Sequence, residues 1–434
     1  MEKILEQAKK FAEAAEVFVV TSEETPVQFE ANRLKHIQSR QSQIVALRII
    51  RKGRVGYSVT TNPDDISSLV DSAVETAEFG IKAGFELPAL ANYPQVDTYD
   101  PDVEAVPLER MITLGEEMVT AVRGNTADIV CEAGVDRDVM SVRILNSSGS
   151  EASYRKSIFS LEIEASLIRG TDMLFVGESE SSCHPLTDTK TVTDIVLRQL
   201  EWAKEQAAAP SESLPVIFTP NGVASAIVSP LMAAFNGKIV LEGASPIGDR
   251  LGKPVFDKKL WLRDDATIAY RPASRSFDDE GIPSRGTTLI EAGVPAGFLY
   301  DLQTAALAKK QSTGNGSRHG SGLPSPSPSA FVIQPGDTTF DDMLADIKEG
   351  LVVEYLMGAG QGNILGGDFS GNVLLGYKVE NGKIVGRVKD TMVSGNIYKL
   401  LKDIAAIGND ARWVGGSLST PSLYFPSLSV ASKG

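Results

Sequence analysis

The first apolar residues of the chain recur at helical spacing. Ile4, Leu5, Ala8, Phe11 and Ala12 fall on one face and predict a helix over 2–15. From Val17 to about Thr60 the pattern changes to runs rich in Val, Ile and Arg: VFVVTSEE, PVQFEANRLKHIQSRQ and IVALRIIRKGRVGYSVTT. These predict strands, with Lys52-Gly53 in a hairpin turn. PDDISSLVDSAVETAEFGIKAG then predicts a helix, opened by Pro63 and Asp64 and closed by Gly84. Four prolines between Leu87 and Pro107 predict an extended linker. After it the same order returns: a helix at about 107–124, strands at 128–138, 140–147, 151–169 and 171–182, and a helix at 190–208. The repeated order implies two half-domains of helix–strands–helix, without a residue-level repeat.

A second break falls at Ala207 to Pro215, after which glycines and short strands dominate. Asn381-Gly382, between GYKVE and KIVGRV, is the strongest hairpin signal in the chain. GTTLIEAGVPAGFLYDLQTAALAKK predicts strand, turn, strand and a short helix. STGNGSRHGSGLPSPSPS, Ser312 to Ser329, is low in complexity and predicts a mobile surface loop. The expected fold is α+β. An N-terminal α/β domain spans 1–210, with sub-halves of about 1–86 and 106–208 and a linker at 87–106. A β-rich C-terminal domain spans 214–434.

Length agrees, since 434 residues exceed what one core of about 250–300 residues holds. No apolar run reaches about 18 residues, so no membrane span is expected. MEKILEQAKKFAEAAEVF lacks a signal-peptide apolar stretch, which points to the cytoplasm. A net charge of −14 disfavours direct nucleic-acid binding. Cys131 and Cys183, the only cysteines, form neither a disulfide framework nor a CxxC pair.

Catalytic signals are sparse. The three histidines, His36, His184 and His319, begin no HExxH, so no helix presents two imidazoles to a metal. Cys183-His184 are adjacent, a spacing that rarely aims two side chains at one ion. No GxSxG elbow is present. Asp278, Asp279 and Glu280, in FDDEG, form either a solvated acidic turn or a set able to hold a cation or do acid–base work. The Gly-rich run Leu356 to Gly371 lacks a GK[ST] ending and predicts tight turns, not a phosphate loop.

Three ordered segments carry a resemblance. RSFDDEGIPSRGTTLIEAGVPAGFLYDLQTAALAKKQSTGNG (275–316), GLVVEYLMGAGQGNILGGDFSGNVLLGYKVENGKI (350–384) and VSGNIYKLLKDIAAIGND (393–410) resemble the signatures of the TldD/PmbA family, whose members have been called modulators of DNA gyrase. The resemblance implies a C-terminal domain of antiparallel sheets curled into a barrel-like shape. It also implies a metallopeptidase setting in which TldD-type subunits carry HExxxH on a helix and a cysteine ligand near the C-terminus. The corresponding stretches here are Val223 to Ser245, which has no His, and Trp413 to Ser417, which has no Cys. This is the pattern of the PmbA/TldE-type, non-catalytic subunit. No catalytic or metal-binding residue and no cofactor is then expected in this chain, zinc being expected only in a TldD-type partner. The implied partners are that homologous subunit, in a heterodimer or homodimer, and peptide substrates. Asp278, Asp279, Glu280 and His319 are the candidates for lining a peptide site or an interface. Two alternatives stay open: an active peptidase using substitute ligands, and a regulatory binding protein without a peptidase partner.

Overall fold

The computed structural model describes residues 1–318 and 322–433. Its N-terminal half is one continuous sheet. The first strands are β1 (Ala14–Glu30), β2 (Arg33–Ile37), β3 (Arg40–Arg51) and β4 (Arg54–Thr60), and β5 (Val130–Asn146), β6 (Glu151–Arg169) and β7 (Asp172–Ser182) complete it. Their order is β4-β3-β1-β5-β6-β7, with β2 beside β1. The two helix–strands–helix halves foreseen from the sequence therefore meet at β1 and β5, which pair antiparallel from Glu16–Asn146 to Phe29–Ala133. Lys52 and Gly53 both adopt positive φ, the geometry of a two-residue hairpin turn.

Helices α1 (Glu2–Ala8), α2 (Ile66–Phe79), α3 (Pro101–Ala105), α4 (Leu108–Asn125) and α5 (Lys190–Trp202) accompany the sheet. Alternation along β1 sends Val17, Val19, Val27 and Phe29 to one face. The first two pack in the core of α1 and α2, and the last two in that of α4 and α5. The helix expected over 2–15 stops at Ala8 because Ala14 and Ala15 are taken into β1, where Ala15 pairs with Ile49 of β3. Asp65 accepts from Ser68 N and opens α2.

The C-terminal half contains a closed barrel of five strands: β8 (Ser213–Phe218), Leu423–Ser432, Thr391–Asn396, Asp368–Glu380 and Glu349–Met357, which returns to β8. Four of its five pairings are antiparallel, and β8 runs parallel to Glu349–Met357. Val216, Phe218, Leu351, Val353, Val393 and Phe425 fill the interior. Each such side chain contributes about 1.5–3 kcal/mol of burial. Ile217, Val352, Tyr377 and Tyr424 point outward into the core shared with α4 and α5, so barrel and helices are packed together. Asn381 and Gly382, both at positive φ, turn the hairpin between Asp368–Glu380 and Lys383–Arg387. No helix among the described residues is long and apolar enough to cross a membrane.

Candidate functional site

The FDDEG turn is not a solvated surface feature. Phe277 packs under the N-terminal sheet beside Phe18, Ile144, Tyr93 and Tyr154, which pulls the following carboxylates into the junction between the halves. Asp278 and Glu280 are fully buried. Asp278 accepts from the backbone N–H groups of Glu280, Ile282 and Gly316 at 3.0, 2.9 and 2.8 Å. Asp279 accepts from Arg275 Nη1 at 3.3 Å and from the backbone of Arg318 at 2.8 Å. Glu280 accepts from Arg48 Nη1 at 2.5 Å and from Leu302 N at 2.7 Å. Arg48 also donates to Glu16 at 3.0 Å, and Arg318 donates to the other oxygen of Glu16. Burial pushes the Glu280 carboxyl up to about 8 against the pull of Arg48, and Asp278 up to about 6.

Each carboxylate oxygen of the FDDEG run thus accepts from a donor of this chain: Glu280 reaches across to the N-terminal half through Arg48, while Asp278 and Asp279 are held by donors of the C-terminal half. His319, the fourth candidate, lies outside the described residues. Its neighbours differ from the expected mobile loop: Asn315 and Arg318 are buried, and Gly316–Ser317 pairs with Ser325–Pro326. Asn315 donates to Asp264 at 2.6 Å, and burial pushes Asp264 up to about 6. A polar segment becomes ordered here because buried carboxylates on neighbouring turns accept its donors.

The other two imidazoles are occupied or remote. His184 Nδ1 lies 2.6 Å from Asp100 Oδ2, its ring 3.7 Å from that of Tyr270, while the adjacent Cys183 thiol is buried. The pair does not converge on one point. His36 is exposed on β2.

The stretch Val223 to Ser245, singled out above on the family resemblance, falls in α6 (Pro220–Ala226), Val228–Ala234 and Gly237–Leu241, which follow β8, and in the turn after them. Its inward residues Val223, Ala226, Ile227 and Leu231 belong to the barrel core. A Cβ at Gly222 would lie 2.3 Å from Val353 O, so α6 rests directly on a barrel strand. Where the helix starts, Thr219 donates to Glu354 at 2.8 Å, and Glu178 accepts from Asn221 and Arg412. Glu354 is the extra residue of a bulge, and burial raises its pKa. Trp413 and Val414 sit in the strand Arg412–Val414, and Gly415 and Gly416 form the turn after it. Among the described residues no three His, Cys, Asp or Glu side chains converge closely enough to hold a metal ion. Two carboxyls, one of them paired with an arginine, do not fit a zinc site, which draws on imidazole, thiolate and carboxylate ligands in sets of three or four.

A second feature went unnoticed in the sequence. A cleft of about 580 Å³ opens where β5, β6 and β7 meet the barrel. Val130, Phe175, Met357 and Leu374 form its apolar walls, and Glu132, Glu162 and Glu164 stand on its floor. The alternation in LEIEAS already placed Glu162 and Glu164 on one face. What the sequence could not supply was the register that puts Glu132 directly opposite Glu164.

Fold and site together describe a five-stranded barrel set against a helix-covered sheet, with apolar residues on the helix that follows the first barrel strand. The chain belongs to the PmbA/TldD family: residues 211–432 match the PmbA/TldA metallopeptidase C-terminal domain and 15–77 match PmbA/TldA metallopeptidase domain 1. An uncharacterised protein of Methanocaldococcus jannaschii is 28% identical over 98% of both chains. Metalloprotease PmbA of Escherichia coli O157:H7 is 24% identical over 99% of this chain and 94% of its own. TldE from Thermococcus kodakarensis superposes over 100% of both chains with a TM-score of 0.90 at 21% identity, a likeness of fold.

Proposed function

We propose that this chain is the non-catalytic, PmbA/TldE-type subunit of a TldD/TldE-like cytoplasmic zinc metalloprotease acting on peptides and unfolded small proteins. One observation carries the reading. Within Val223 to Ser245, the stretch where the family resemblance places the zinc-binding helix, Val223, Ala226, Ile227 and Leu231 are packed into the core of the C-terminal half. Restoring a metal there would require polar side chains in the core of the C-terminal half, and such burial is costly without partners. Zinc and the activated water then belong to a TldD-type partner, and this chain supplies shape and contact surface. The 1–210 domain and the 214–434 domain act as one body, since α4, α5 and the barrel share a core.

Association with the partner runs through the C-terminal domain. On the barrel's outer wall, Ser370, Ser394, Ser429 and Ser213 stand in register across four strands, with Asn372, Met392 and Ala431 in the next row. None is charged, and depletion of charge is what distinguishes the centre of an interface.

Co-expression with a TldD-type homologue tests the reading. The expected result is a stable complex that cleaves peptides, with zinc in the partner and none in stoichiometric amount in this chain purified alone. Chelator-sensitive cleavage by the isolated chain, or failure of any complex to form, would overturn it.

A further inference from the structure

The cleft between the N-terminal sheet and the barrel is a largely apolar groove that also carries three glutamates without an ion-pair partner among the described residues. Val130, Phe175, Met357 and Leu374 line it at 43%, 39%, 56% and 37% exposure. Large apolar side chains gathered in one concavity mark an interaction site more often than scattered ones do. Tyr355 closes one end, its hydroxyl reaching Gly177 O at 3.4 Å.

The floor is more specific than the walls. Glu132 and Glu164 are directly opposed on adjacent antiparallel strands, and Glu162 lies one same-face step from Glu164. Like charges directly opposite one another destabilise a sheet. Nothing relieves them: no Lys, Arg or His among the described residues pairs with Glu132, Glu162 or Glu164. Gly134 and Ser179 flank Glu162, and Gly177 faces Glu164 opposite Glu132, so no cationic side chain stands directly across from either carboxylate. Burial and the Glu164 charge together raise the pKa of Glu162. All three glutamates are exposed to the cleft, whereas the buried Glu178 beside them is held by Arg412 and Asn221.

We propose that this groove binds an extended polypeptide segment in which basic and apolar residues alternate. Apolar side chains would enter between Phe175, Met357 and Leu374, and lysines or arginines would meet the three glutamates. The proposal deepens the peptide-handling reading above by naming the class of segment taken. It does not depend on the partner, because every lining residue belongs to this chain.

The test measures binding of labelled peptides to the full-length protein by fluorescence anisotropy, without partner or cleavage. Three short peptides share alternating leucines and carry lysine, serine or glutamate between them. The lysine peptide is expected to bind about tenfold tighter than the serine peptide, to weaken as salt rises, and to outbind the glutamate peptide by more. The double variant Glu132→Gln/Glu164→Gln should lose that preference while melting at a higher temperature, because the opposed charges are gone. Leu374→Ser should weaken the lysine and serine peptides alike. Equal binding of the lysine and glutamate peptides would overturn the proposal. So would unchanged lysine-peptide affinity in the glutamine variant, since the carboxylates would then be merely a solvated face. Complex formation with a TldD-type partner is a separate measurement, so either idea can fail while the other stands.

Discussion

Arg48 on β3 donates to Glu280 of the FDDEG turn at 2.5 Å, with both side chains almost wholly excluded from water. The two residues are 232 positions apart in the chain. Their contact is one member of an alternating network in which Glu16 also accepts from Arg48 and Arg318. Breaking a buried pair by removing one partner leaves an uncompensated charge, at a cost of about 3–5 kcal/mol. Arg48→Ala is therefore expected to lower unfolding free energy by that order, read from denaturant midpoints. A loss below about 1 kcal/mol, the range of exposed pairs, would show that water reaches the network.

Gly316 provides a sharper probe of the same junction. A Cβ there would lie 2.6 Å from Glu280 Oε2, and its φ is not in the left-handed region, so the objection to a side chain is contact alone. Gly316→Ala should cost about 1–3 kcal/mol by overpacking. Adding Glu280→Ala should shrink the Gly316→Ala increment, because the clashing atom is removed. Additive losses in a double-mutant cycle would refute the contact.

How much of this was legible beforehand differs element by element. β6 and β7 were read almost to the residue, since Ser148-Gly149 and Arg169-Gly170 mark their ends and Gly149 and Gly170 adopt positive φ. The Val130–Asn146 strand was read as two, 128–138 and 140–147, divided at Val139. They instead form one long strand paired on both sides. Burial of the acidic turn was illegible for a different reason. Nothing local distinguishes FDDEG from a surface turn, and Arg48, the partner of Glu280, arrives from the far end of the sequence. The Ser312 to Ser329 stretch misled similarly: its serines and glycines suit mobility, but Asn315 and Arg318 find buried carboxylates.

Buried acids also set the pH dependence. Asp264 is held among Asn315 and Ser329, and burial lifts it from 3.8 to about 6. A raised folded-state value means the folded protein binds the proton more tightly than the unfolded chain does. Its stabilising contribution is fully present below about 3.8 and is lost as pH rises through about 6. Asp278, raised to about 6 by burial, acts in the same direction. The full Asp264 shift corresponds to roughly 3 kcal/mol, most of it lost between pH 4 and 7. Asp264→Asn should flatten the slope of melting temperature against pH over that window, whatever it does to the absolute level. An unchanged slope would place the titration elsewhere.

The last expectation concerns assembly. A chain with a net charge of −14 meets a second copy of itself with least repulsion where its surface carries no charge. The barrel's outer wall meets that condition over two rows. Ser370, Ser394, Ser429 and Ser213 form one, and Asn372, Met392 and Ala431 the other. Alternation sends their neighbours Val373, Val393 and Val430 inward to the core, so the wall can change without disturbing packing. Charge appears at its margins, at Asp368, Asp390 and Lys433, as at the rim of an interface. Met392→Arg with Ser394→Glu places two charges at the centre of the wall. A misplaced charge there should weaken association about tenfold or more, with the partner or with a second copy, and leave the melting temperature nearly unchanged. Sedimentation velocity at micromolar concentration and capture of a co-expressed TldD-type subunit read the two cases. If both are indifferent to the double variant while the wild-type chain associates, the contact lies elsewhere, and the N-terminal sheet becomes the surface to alter next.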